Sequence, residues 1–125
     1  MKRILVVEDE DAIREFVVIN LQRAGYDVVE ANSGEAALQK YEENHGEFDV
    51  AILDIMMPKI DGYAVCEFIR KKSRIPIIML TAMDEEEAQI RAFELQVDDY
   101  ITKPFSLKLV LMRIEAVLRR IKEKS

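Results

Sequence analysis

The stretch FDVAILDIMMP, residues 48–58, decides the fold. Val50, Ala51, Ile52 and Leu53 are apolar at every position, the pattern of a strand covered on both faces rather than one half open to water. The run ends on a carboxylate, Asp54, and Ile55, Met56 and Met57 follow at once. An acid at the mouth of the most apolar strand is costly to bury, so its presence there calls for a chemical reason.

Working outward, four further apolar runs stand at residues 4–7, 27–31, 76–80 and 100–101. Helix-period segments separate them. Ile13, Phe16, Val17, Leu21 and Ala24 recur at helical spacing before a capping Gly25. Asn32 and Ser33 open a second helix carrying Ala37, Leu38 and Tyr41. A third begins near Asp61 and buries Val65, Cys66 and Ile69; a fourth spans 85–95 and a fifth 106–121. Strict β-α alternation with runs apolar on both faces predicts an α/β fold, a doubly wound parallel sheet of five strands flanked by five helices.

The chain has 125 residues, enough for one domain with a sizeable core. Cys66 is the only cysteine, which excludes an internal disulfide framework and fits a reducing cytoplasm. The start, MKRILVVEDED, reads as neither signal peptide nor membrane anchor, and no run approaches the ~18 apolar residues of a membrane helix. The net charge of −6 is uneven. Residues 1–102 hold 11 Lys/Arg against 22 Asp/Glu, and residues 103–125 hold 7 against 2. The acidic part disfavours direct contact with nucleic acid.

In a parallel doubly wound sheet the ligand site lies beyond the carboxyl ends of the strands. There the chain places Glu8 and Asp9, Asp54, Thr81 and Lys103, each group after a different strand. Each alone has a bland reading: Glu8 and Asp9 as helix caps, Asp54 as a turn residue, Thr81 as a cap, Lys103 as a surface lysine. Their coincidence on one sheet edge argues for a shared site. A nucleotide would need a glycine-rich loop after the first strand, and EDED would repel a phosphate instead. Three close carboxylates should push at least one titration upward unless a cation joins them. Mg²⁺, a hard ion that keeps waters, suits such oxygen donors and can accept a phosphoryl oxygen. Asp54 is then a carboxylate nucleophile that receives a phosphoryl group, with Lys103 and Thr81 neutralising and binding it.

The segments ILVVEDE, ILDIMMPKIDG, LTA and DDYITKPF resemble the receiver domain of two-component response regulators, across residues 2–121. The resemblance implies a flavodoxin-like sheet of order 2-1-3-4-5, with a receiver domain over 1–121; the polar end RIKEKS reads as the start of a linker at 122–125. It implies that Asp54 is phosphorylated by a histidine kinase. Asp9, Asp54 and the Met56 carbonyl would hold Mg²⁺, with Glu8 acting through water. Thr81 and Tyr100 would form a conformational switch, and the Lys103–Pro104 bond would be cis. Such a domain is not an enzyme in the usual sense, beyond its own phosphorylation and dephosphorylation.

The end of the chain is similar to the OmpR/PhoB-like branch, which implies a DNA-binding winged helix beyond this sequence and a homodimer on phosphorylation. Periodicity adds a hint of its own. On the last helix Leu107, Val110, Ile114, Val117, Leu118 and Ile121 share a core face. Leu109, Met112 and Ala116 form a second stripe flanked by Arg113 and Arg120, a surface suited to a partner. By resemblance, Asp99 pairs with Arg113 at that interface.

Two departures from the family pattern stand out. Gln96-Val97 replaces Gly-Ala, so a non-glycine residue must take a left-handed turn or the fourth helix must shift. Gln89 and Leu109 occupy positions where the family often pairs opposite charges. His45 reads as solvated and Cys66 as core packing, while Met56 and Met83 are placed to hinder hydrolytic water. Two other functions compete: a stand-alone receiver acting by protein contact or phosphorelay, and an aspartyl phosphohydrolase. The second is disfavoured because Met56 stands where that enzyme carries its acid/base Asp.

Overall fold

The β-α alternation is realised without exception in the computed structural model, which describes the backbone of residues 1–124 and the side chains of residues 1–121. The order is β1 (Arg3–Val7), α1 (Asp11–Arg23), β2 (Asp27–Ala31), α2 (Gly34–Glu43), β3 (Val50–Asp54), α3 (Gly62–Lys72), β4 (Ile77–Thr81), α4 (Glu85–Leu95), β5 (Asp99–Thr102) and α5 (Leu107–Lys124). No expected strand boundary moves by more than one residue. α5 runs past the expected end at residue 121. The expected linker start at 122–125 falls where side chains, and at Ser125 the backbone too, lie outside the described residues.

All five strands pair in parallel in the order β2-β1-β3-β4-β5. Alternation along each strand sends side chains to the two faces of the sheet. Ile4, Val6, Val50, Ile52, Ile78 and Leu80 meet α1 and α5 on one face. Leu5, Val7, Ala51, Leu53 and Ile77 meet α2 and α3 on the other. β3 and β4 are buried at every position, as the opening stretch required.

Side-chain caps start four helices: Ser33 accepts from Ala36 N–H, Asp61 from Ala64, Asp84 from Glu87 and Ser106 from Leu109. α4 ends without glycine. Gln96 takes φ 56° and ψ 40°, and Val97 N–H donates back to Ala92 O at 3.1 Å. This is a left-handed C-terminal motif on a residue that pays backbone strain for it. Arg70 Nε holds the Gln96 carbonyl at 3.1 Å, and α4 keeps its expected span.

Four expectations about packing need correction. Phe16 is 46% exposed, because it lies over the loop after β5, lining a surface groove with Pro104 and Phe105. Ala24 lies exposed just past the end of α1. Ile121 is 43% exposed, since α5 there has reached the rim of the sheet beside Lys2 and Pro76, where no strand covers it. Leu109 was expected on the outer stripe but packs partly into the core, because α5 lies across β5.

Candidate functional site

Strand register brings the site together. Leu53 pairs with Val7, Asp54 with Leu80, and Thr81 with Thr102. The residues that follow β1, β3, β4 and β5 therefore emerge on one edge of the sheet. Lys103 N–H donates to Thr81 O at 2.7 Å, tying the last two strand ends, and the Lys103–Pro104 peptide is cis. Gly62 sets the loop after β3. A Cβ there would lie 2.5 Å from Asp54 O and 2.6 Å from Ile55 Cα, both backbone atoms.

Glu8, Asp54 and Thr81 are the buried polar side chains of the described residues. Glu8, Asp9 and Asp54 each offer a carboxylate oxygen, all within 4.8 Å of one another. Lys103 Nζ lies 2.9 Å from Glu8 Oε1 and 3.5 Å from Asp54 Oδ1. Four of the sequence-derived residues thus converge, and Thr81, with no exposed surface, ends the neighbouring strand β4 at the same sheet edge.

The bland readings are mostly set aside by this geometry. The N-cap of α1 is Glu10, and no side chain caps that helix, so Asp9 is not spent on capping. Glu8 Oε2 accepts from Glu10 N–H at 3.1 Å. Thr81 does not cap α4, a task done by Asp84; its Oγ1 accepts from Met83 N–H at 3.0 Å. Asp54 keeps part of its turn character, with Oδ1 accepting from Met56 N–H at 3.2 Å.

Crowded acids shift one another. Burial first, then the nearby Glu8, pushes the Asp54 carboxyl up to about 7, against the opposing pull of the Lys103 ammonium. Burial works to lower the Lys103 pKa, yet its contacts with Glu8 and Asp54 prevail and raise it. Glu8 Oε1 is fully buried and receives no aligned hydrogen bond, although Lys103 is near. A buried Glu8 oxygen paired with the Lys103 ammonium, beside two further carboxylates, is a donor set that fits a hard divalent cation.

The remaining expected residues are more scattered. The Met56 side chain is 62% exposed and Met83 is half-buried. Tyr100 donates its hydroxyl to Glu85 at the start of α4, a partner the sequence reading missed. Asp99 and Arg113 pair at 3.2 Å within one chain. Met112 is 55% exposed, Ala116 is half-buried and Arg120 is exposed. Ile90 and Phe93 on α4, exposed to 51% and 85%, were also missed. Their spacing of three, opposite the inward Ala88, Ala92 and Leu95, was the available signal. His45 is exposed, and Cys66 is buried with its thiol pushed up to about 12 by desolvation.

The family model described as "Response regulator receiver domain" matches residues 4–115. The chain belongs to the response regulator receiver family. Among curated relatives it is 47% identical over 124 residues to the "Probable transcriptional regulator ycf27" of Porphyridium aerugineum, covering 99% of this chain and 51% of the relative. It is 49% identical over 120 residues to the "Alkaline phosphatase synthesis transcriptional regulatory protein PhoP" of Bacillus subtilis (strain 168), covering 95% and 49%. The chain therefore spans about half the length of these relatives. A CheY-like receiver domain protein from Methanospirillum hungatei JF-1 superposes with a TM-score of 0.90 at 28% identity, covering 100% of this chain and 99% of that one. This receiver domain thus carries the fold of solved receivers and a sequence close to transcriptional regulators.

Proposed function

We propose that this receiver is a phosphorylation switch in which Asp54 accepts a phosphoryl group from the phosphohistidine of a sensor histidine kinase, in a Mg²⁺-dependent reaction. The observation that supports it most is the pocket itself: three carboxylates within 4.8 Å of one another, faced by one ammonium. Mg²⁺ held by Asp9, Asp54 and the Met56 carbonyl, with Glu8 behind them, would offset the acid charge and accept a phosphoryl oxygen.

In the transfer, ionised Asp54 attacks phosphorus in line with the P–N bond of the donor. The new O–P bond forms as the P–N bond breaks, and the imidazole keeps the electron pair and takes up a proton. Lys103 stays beside Asp54 and balances the charge that arrives. Thr81 already uses an Oγ1 lone pair on Met83 N–H, so its own O–H is free to donate to a phosphoryl oxygen. That pull draws Thr81 toward the acid, and the Tyr100 ring leaves Glu85 and turns inward behind it. The donor protein must rest on the rim of the pocket. An apolar groove of about 440 Å³ lined by Ile13, Phe16, Pro104 and Phe105 abuts Lys103 there.

Output runs through the face made by α4, β5 and α5. Asp99, Leu109, Met112, Arg113, Ala116 and Arg120 lie on it, joined by the exposed Ile90 and Phe93, and they pair two phosphorylated copies. By analogy with the relatives named as transcriptional regulators, the dimer controls a winged-helix DNA-binding domain outside these residues, in the cytoplasm. No helix of the described residues is long and apolar enough to cross a membrane. The test is incubation with a small-molecule phosphodonor and Mg²⁺, read by intact mass and size-exclusion chromatography. One added phosphoryl group on wild type, none on Asp54→Ala, and a shift toward dimer are expected. Equal labelling of both proteins would refute Asp54 as acceptor.

A further inference from the structure

Arg14 is placed to do more than tie α1 to β2. It projects from α1, a helix largely open to solvent, yet its side chain is only 12% exposed. Its guanidinium fork reaches three acceptors on three elements. Nη1 donates to the main-chain carbonyl of Glu8 at 3.0 Å, Nε to Glu30 on β2 at 3.1 Å, and Nη2 to Asp11 at 2.7 Å.

The first contact matters most. The Glu8 carbonyl belongs to the peptide that joins Glu8 to Asp9, the two acids that β1 delivers to the pocket. On the other side of Glu8, its N–H donates to Ala31 O at the end of β2. The acidic loop is thus pinned at consecutive backbone groups, by β2 through one and by Arg14 through the other. Glu30 and Asp11 fix the fork itself, and only a planar guanidinium can serve all three at once.

We propose that Arg14 is a positioning residue for the divalent cation: by holding the Glu8–Asp9 peptide it aims the two carboxylates toward Asp54. The inference rests on the reading of this pocket as a Mg²⁺ site. Partners that orient metal ligands from behind typically change metal affinity by ~10–100-fold when removed.

The experiment is calorimetric titration of Mg²⁺ into the wild-type chain, Arg14→Gln and Arg14→Lys, with thermal melts of each in the absence of metal. Arg14→Gln should weaken binding about tenfold. Arg14→Lys, which keeps the charge and one donor toward the carbonyl, should recover part of that loss. A purely structural role predicts lower melting temperatures with affinities within twofold of wild type, and that result overturns the proposal. Should Arg14→Gln not fold, Arg14→Lys decides by itself: weakened binding supports the role and unchanged binding overturns it. If the wild type takes up no Mg²⁺, the metal reading fails first, and positioning fails with it.

Discussion

In the acid pocket the reactive side chains are buried or half-buried among one another, while on the face of α4, β5 and α5 Ile90, Phe93 and Met112 stand in water. Glu8, Asp54 and Thr81 have almost no exposed surface; Phe93 is 85% exposed and Met112 55%. The pocket must be arranged before its ligand arrives, because phosphoryl transfer depends on placing charge in advance. In the proposed switch that face acts only once a second copy covers it. One region carries its cost as buried charge and the other as exposed hydrocarbon.

The comparison breaks most visibly at Gly62. A methyl group there would meet the backbone of Asp54 and Ile55 at about 2.5 Å, and backbone cannot step aside as a flexible side chain would. Gly62→Ala should cost ~3 kcal/mol or more in denaturant unfolding. A loss below ~1 kcal/mol would mean that the pocket is looser than its geometry implies.

Buried charge gives the next effect. Burial pushes the folded Asp54 carboxyl up to about 7, against 3.8 for the free side chain. Below that lower value both folded and unfolded chains hold the proton. Between the two, the unfolded chain releases it while the folded one does not, so metal-free stability falls as pH rises through this window. Asp54→Asn has no such proton to lose. It should melt close to wild type near pH 4 and be more stable near pH 8, by on the order of 2–4 kcal/mol. Equal stability at both pH values would remove the claim that acid crowding strains the pocket. Lys103→Met sharpens the same point: without its ammonium the Asp54 titration, followed by carboxyl carbon NMR, should move further up.

The smallest effect belongs to the face. Phe93→Ser should change unfolding free energy by less than ~0.5 kcal/mol while weakening the dimer formed with phosphodonor. A large stability loss would show that Phe93 is packed and no partner surface.

These two regions also differ in how far a single sequence discloses them. Buried strands announce themselves by composition, so residues 50–53 fixed β3 and exposed Asp54 as an anomaly. Parallel topology then carried Glu8, Asp9, Thr81 and Lys103 to the same edge with no knowledge of distances. Exposure is less readable. Ile121 fits the helical period of the α5 core face, but period cannot say where the sheet beneath it ends. Leu109 fits the outer stripe, yet the placement of α5 over β5 turns it partly into the core. Tyr100 was read as a switch from resemblance; its bond to Glu85 spans 15 residues and depends on how α4 docks. Gln96 marked a choice between a left-handed turn and a shifted helix, because only a few backbone shapes can end a helix; the structure takes the first, and the arginine that holds its carbonyl was invisible.

Chemical mapping of the modified residue examines the central claim most closely. After treatment with phosphodonor and Mg²⁺, borohydride reduces an acyl phosphate to the corresponding alcohol, and peptide mass spectrometry locates it. The account predicts homoserine at position 54 and aspartate unchanged at positions 9, 61 and 84. Reduction at another acid, or none at Asp54 in a protein that has gained a phosphoryl group, would contradict it.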